Sequence, residues 1–444
     1  MVEKKLEQAT TIAGILKGVS PEPLREEELD KFFYKDTMKI RMGHETFSPV
    51  RELFEACIMP SISNAHLLMG HRGCGKTTEL QNLKREFEKV GHRVHMVDTR
   101  METDNTNINH WDILLLATEG LCTIAEDSFA DIPTEPFEAI YEILCSDIKV
   151  EESSAVLKSY GKRKGFSANT PAILDNVLNL FITLKSDMRY STETRTNIIT
   201  AMPKRASAWL ANIREISRHL TAHCKEKQPI IIFEGLDKIH PPNKIIDILN
   251  YSVFAQMPIP IIYTFPIDQC YSTSFAAVSA TFNRHVLPMI KIRNINKTLN
   301  ERSFAVIRAI VELRADLKLF DKDVLDRLIE KTGGSLRHLF ECIVRAARLA
   351  AWRDSEKIGH EDANRALAEL SKEITKPVVE KNHFSVLRNI MNNPRSDNQI
   401  KDLDSLLGWM NASIVLEYEN GERWIDVHPL VADFISTKTT GESK

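Results

Sequence analysis

The chain has 444 residues, 43% of them hydrophobic, enough at roughly 150 residues per domain for two to four compact units with real cores. Its 58 basic and 61 acidic residues leave a net charge of -3, so no global field draws it to nucleic acid or to an anionic membrane. No apolar stretch approaches the roughly 18 residues of a membrane span, the start has no secretory pattern, and seven scattered cysteines without a C-x-x-C pair argue against disulfides or structural zinc; a cytoplasmic protein with reduced thiols and no membrane association is expected.

Residues 1–60 read as a charged, helix-forming lead-in broken at Pro21 and Pro23. Residues 65–69 are an apolar run of strand length, and 78–90 carry Leu80, Leu83 and Phe87 on one helical face. Between them, Gly70-His71-Arg72-Gly73-Cys74-Gly75-Lys76-Thr77 fits G-x-x-x-x-G-K-[ST] at every fixed position. In strand, loop and helix order, the glycines let successive backbone N–H groups turn inward around phosphate oxygens at the positive end of the helix. Lys76 is then set to reach the β and γ phosphates of ATP, and Thr77 to place its hydroxyl on Mg²⁺. Gly70, Gly73, Cys74, Gly75, Lys76, Thr77 and Thr78 are the candidate residues for ATP or ADP, with Cys74 a small filler between glycines rather than a redox switch.

Residues 94–98 read as the second strand and 111–125 as a helix after it, the rhythm of a parallel sheet. No convincing strand lies between about 126 and 228, where segments 135–144, 172–185 and 206–225 imply a long helical insertion. Its cluster Lys158, Lys162, Arg163, Lys164 reads as a solvated loop ahead of a phosphate contact. The run Ile230-Ile231-Ile232-Phe233 reads as a central strand, followed by Glu234-Gly235-Leu236-Asp237-Lys238. Ligands of open α/β sheets lie beyond the carboxyl ends of the strands. Glu234 and Asp237 are therefore placed to hold the Mg²⁺ water shell and orient an attacking water, Glu234 sharing the metal with Thr77.

The pair GHRGCGKTTEL and IIIFEGLDK resembles the Walker A and Walker B motifs of AAA+ and STAND-type P-loop ATPases, in particular their bacterial branch near origin-recognition and Cdc-like proteins. The resemblance implies an α/β P-loop NTPase core with an AAA+-like parallel sheet flanked by helices, a helical lid, a C-terminal winged-helix-like domain, and slow ATP hydrolysis, with the lead-in beside the adenine. It makes 259–266 the sensor 1 strand, where Thr264 contacts the γ-phosphate or its water; a threonine satisfying local backbone is the alternative. Arg284, ahead of a last core strand at 289–292, is a candidate to act in trans across a subunit interface, as in related oligomeric ATPases; whether any arginine of the chain does so stays open. One departure is Glu234, where those proteins usually carry Asp; the extra methylene bears on hydrolysis more than on binding.

From about 296 the pattern is helical, with Phe304, Ile307, Ile310 and Val311 on one stripe and Val324, Leu325, Leu328 and Ile329 on another. Gly333-Gly334 stops one helix and Ser335 caps the next. Arg337 falls on the polar face of that helix; the resemblance implies a sensor 2 arginine on the γ-phosphate, and pairing with Glu341 is the alternative. Helices at 383–391 and 399–410, then a hairpin through Asn420-Gly421, compose the winged-helix-like module. Its seven Lys and Arg against ten Asp and Glu, with Asp402 and Asp404 on the second helix, read as a protein-docking or autoinhibitory wing rather than a DNA reader.

The expected division is a lead-in at 1–60, a core at 61–295 with its insertion at 126–228, a lid at 296–376 and the wing module at 377–444. The expected function is an ATP-binding and hydrolysing switch that controls a separate effector protein. Homo-oligomerisation stays open, and the resemblance extends to bacterial anti-phage defence. A DNA-engaging loader or regulator of transposition or replication is the alternative, and a nucleotide-stabilised scaffold without useful hydrolysis is a third reading.

Overall fold

A computed structural model of the chain describes residues 7–35, 37–42, 48–59, 64–104, 106–128, 132–150, 172–378, 381–394, 402–419 and 422–440. The basic cluster at 158–164 and the Asn420-Gly421 turn lie outside the described residues. The lead-in forms helices α1 (Ile12–Gly18), α2 (Thr37–Met42) and α3 (Pro49–Ile58). The core follows as β1 (Ala65–Gly70), α4 (Lys76–Lys89), β2 (Val94–Asp98), α5 (His110–Asp127), α6 (Glu135–Glu142), α7 (Ala172–Tyr190), α8 (Thr192–His223), β3 (Ile230–Glu234), β4 (Ile261–Pro266) and β5 (Asn283–Val286).

These strands make one parallel sheet in the order β2-β3-β4-β1-β5, with helices on both faces. Double coverage explains why β1, β3 and β4 are buried at every position and read as unbroken apolar runs. Strand alternation divides their side chains. Leu68, Ile232 and Ile262 pack with Leu53 of α3 and Leu80, Leu83 and Phe87 of α4, while Leu67, Phe233 and Tyr263 join the larger core that includes α5. Lying between the sheet and the paired helices α7 and α8, α5 is buried on all sides from Trp111 to Cys122.

Two elements depart from the sequence expectation. Helix α8 starts at Thr192 rather than near 206 and runs 32 residues through Pro203. A proline normally ends such a pattern, but Ile198 and Met202 before it are as buried as Trp209 and Ile213 after it, so packing against the insertion holds both halves in one helix. The last core strand is Asn283–Val286, not 289–292, and Arg284 lies on it, exposed at the sheet edge. The ladder to β1 ends with Leu287 N donating to Met69 O at 2.8 Å, because the next donor on that side, Met289 N, goes to Glu417 O at 3.3 Å instead.

The lid comprises α9 (Glu301–Glu312), α10 (Val324–Lys331), α11 (Leu336–Trp352) and α12 (His360–Thr375). Helix α1 packs on α11, and Ala9 exchanges backbone hydrogen bonds with Arg314 and Asp316, so the start of the lead-in is stitched to the lid. The C-terminal module comprises α13 (Lys381–Asn392), α14 (Leu403–Asn411), the antiparallel pair β6 (Val415–Glu419) and β7 (Arg423–Val427), and a final helix, α15 (Pro429–Thr440), that the sequence pattern did not single out. Strand β6 lies on the core. Met289 N donates to Glu417 O at 3.3 Å, and Tyr418 Oη donates to Gly333 O at 2.8 Å.

Candidate nucleotide site

The loop leaving β1 at Gly70 has Gly73 at φ 78° and Gly75 at φ 105°, left-handed conformations that turn its N–H groups toward the start of α4. A Cβ on Gly73 would also lie 2.9 Å from the Cβ of Arg337, so the lid sits directly on the phosphate loop. Cys74 is fully buried, as a filler should be. Lys76 Nζ bonds Gly70 O at 2.7 Å, His71 O at 3.0 Å and Asp237 Oδ2 at 2.8 Å. Burial alone would weaken its charge, but Asp237 overrides that and holds its pKa above the usual lysine value. Burial likewise works against the Asp237 carboxylate, and Lys76 outweighs it, keeping its pKa below the usual range. The other oxygen, Asp237 Oδ1, is buried without a partner.

Thr77 and Glu234, the expected metal pair, do meet: Thr77 Oγ1 donates to Glu234 Oε1 at 2.7 Å. The same oxygen takes Lys238 Nζ at 2.7 Å, and Arg100 lies 3.4 Å from Oε2. The register that pairs Asp98 with Glu234 brings Arg100 there from the end of β2. One hydroxyl and one carboxylate at a phosphate loop suit a hard cation that keeps most of its water.

Thr264 takes its alternative role. The register sets it beside Leu68, two residues below the level where Pro266 meets Gly70. There it is fully buried, donating to Phe233 O at 3.2 Å and accepting from Leu236 N at 3.1 Å. Its hydroxyl thus ties down the turn that carries Asp237 and does not face the loop. Arg337 lines the cleft, and Glu341 instead bonds Arg345 at 2.5 Å.

The cleft encloses about 910 Å³ of empty space, open solvent at its mouth included. Its walls come from the lead-in (Pro21 to Leu24, Phe32 to Tyr34), the loop and α4, and the lid (Ile310, Arg314, Leu336, Phe340). Leu24 N donates to Thr78 Oγ1 at 3.2 Å, which binds the lead-in to the loop helix. Arg314 lies between the rings of Phe32 and Phe340, 5.7 and 4.8 Å from their centroids, and burial lowers its pKa to about 10.

Four residues escaped the sequence reading. Arg41 and Glu79 are buried beside the loop. Asp268, just beyond β4, lines a small cavity with Arg72 and Asp237, and burial raises its pKa. His71 is an unassigned loop position in the motif, yet its Nε2 accepts from Glu417 N at 2.7 Å; burial and the charge on Lys76 push its pKa down to about 3, leaving a neutral ring. An acid just past a strand end could have flagged Asp268. The others carry no local signal.

Fold and loop define an α/β protein of the P-loop NTPase class. No protein-family model matches the chain, and no curated protein matches it. Among solved structures it is similar to a Walker-type ATPase of Pyrococcus abyssi, at 13% identity over 94% of this chain and 98% of that one, with a TM-score of 0.43. It is also similar to the Aeropyrum pernix ORC1 protein in complex with DNA (14% identity, 88% and 92% covered, TM-score 0.35) and to Cdc6p from Pyrobaculum aerophilum (14%, 95% and 95%, 0.35). Scores this low carry no residue role from those proteins to this one. Among the described residues no helix is long and apolar enough to cross a membrane.

Proposed function

We propose that the cleft binds ATP with Mg²⁺ and hydrolyses it slowly, and that the chain is a nucleotide-driven switch of the AAA+ or STAND type. One observation carries this reading: the N-terminus of α4, Lys76, Thr77, Asp237 and Arg337 line one cleft beneath the lid, and Glu234 bonds Thr77 at its edge. A triphosphate at the loop draws Lys76 away from Asp237 and the two carbonyls, since it offers more negative charge. Asp237, left with two free oxygens, then orients a water, and Arg337 meets the terminal phosphate from the lid side. Thr77 and Glu234 would hold the magnesium ion, which would supply charge neutralisation.

The switch output is a separate effector protein, in the bacterial defence setting that the motifs' resemblance implies. The docked wing strand and the acidic balance of the C-terminal module favour a protein partner over duplex DNA. Duplex binding with a steep salt dependence would reverse that preference.

Lys76→Ala is expected to abolish ATP and ADP binding in titration calorimetry; unchanged affinity refutes the site. Single-turnover hydrolysis by wild type and Glu234→Gln decides between switch and scaffold. A measurable wild-type rate lost in the variant supports the switch, and equal near-zero rates support a nucleotide-stabilised scaffold.

A further inference from the structure

Arg41 is a charged side chain with no exposure to speak of, 1%, sent from α2 to the phosphate loop, where it lines the cleft. Its Nη2 donates to Cys74 O at 2.6 Å and its Nη1 to Pro288 O. The Cys74–Gly75 peptide is trans, so its C=O and N–H point in opposite directions. A carbonyl held by Arg41 therefore aims the Gly75 N–H away from the guanidinium, leaving it to serve as a phosphate donor of the loop. Gly75 has no side chain to resist rotation of that peptide, and a φ of 105° is one of several it can adopt. Without an external hold, the peptide could flip and present an oxygen to the phosphates.

An acid is buried near the guanidinium. Glu79, in the first turn of α4 and 6% exposed, faces Arg41 electrostatically and accepts from Thr37 Oγ1 at 3.3 Å. Thr37 and Arg41 lie one turn apart on α2.

We propose that Arg41 is a positioning residue for phosphate binding, fixing the Cys74–Gly75 peptide so that its N–H faces the β-phosphate. The proposal rests on the reading of the cleft as a nucleotide site. It concerns a residue outside both nucleotide motifs, one that lines the cleft and grips the backbone of the loop.

The test uses the full chain and ADP as probe. Removing Arg41 alone strands Glu79, so the main variant is the pair Arg41→Met with Glu79→Leu, which clears both charges from the buried site, with Glu79→Leu alone as control. Urea unfolding checks that the fold survives. Affinity for ADP should fall by about tenfold relative to the control, one charge-assisted contact's worth. Amide exchange in the peptide spanning 70–78 should rise, a change that a general loss of stability would spread over the strands as well. Arg41→Lys keeps the charge against Glu79 but can serve one carbonyl at most, and should fall between; it also covers the case in which the double variant does not fold. A loss of ADP affinity under about threefold in the folded variants overturns the proposal. Wild-type chain that binds no ADP defeats the nucleotide reading itself, a result distinct from wild type and variants binding alike.

Discussion

Glu79 shows how a single buried group sets a pH dependence. Burial pushes its pKa up to about 7 from 4.5, against the opposing pull of Arg41 and the Thr37 hydroxyl. Between those values the folded chain holds a proton that the unfolded chain has released. Stability is therefore expected to fall as pH rises from about 4.5 to 7, and to level off above. Urea midpoints across that range check the sign, and Glu79→Gln should flatten the slope. Thr264 illustrates a different residue-scale effect. Thr264→Val keeps the shape but leaves Leu236 N without its acceptor, a loss of about 1–3 kcal/mol by denaturant unfolding. The same variant should keep its preference for ATP over ADP. Arg337→Ala should do the reverse, sparing stability and ADP affinity while weakening ATP.

At the scale of elements, the junction between core and lid turns on Gly334. Its φ is 87°, and a Cβ there would lie 1.8 Å from Ile290 O, the carbonyl of a buried segment that cannot yield. Gly334→Ala is expected to destabilise the chain by more than about 2 kcal/mol or to swing the lid off the loop. Urea unfolding measures the first outcome, and a loss of nucleotide affinity with unchanged unfolding marks the second. The strand assignments separate by the same physics. The apolar runs of β1, β3 and β4 declare themselves because both sheet faces are covered, whereas β5 is a short edge strand of Asn283, Arg284, His285 and Val286 with no apolar run to read. Helix α8 was half legible, since Pro203 masks a continuity that only its neighbours enforce.

Across the whole molecule, the C-terminal module is fastened to the phosphate loop itself. Glu417 N donates to His71, Tyr271 Oη donates to Glu417 Oε2 at 2.6 Å, and Lys291 Nζ reaches Glu419 O at 3.1 Å. Movement of His71 when Lys76 turns to a phosphate would be felt in β6, which gives the proposed switch a route from loop to wing. His71→Ala removes the acceptor for a buried N–H, and hydrogen exchange should then quicken in β6 and α14 while β1, β3 and β4 keep their protection. Equal exchange in β6 before and after the substitution shows that the clasp carries no force.

By itself the sequence determined the phosphate loop, the strand and helix beside it, the acids after β3 and the glycine stop with its serine cap in the lid. Each of these is written in neighbouring residues, where backbone conformation and apolar period act over a few positions. Only the tertiary structure decided that Thr264 serves backbone, that Glu341 belongs to Arg345, that Arg41 grips the loop and that β6 rests on His71. His71 and Glu417 are 346 positions apart, and Arg41 and Pro288 are 247. Contacts at such separations follow from how whole layers pack, and no local pattern encodes which polar atoms the packing brings face to face.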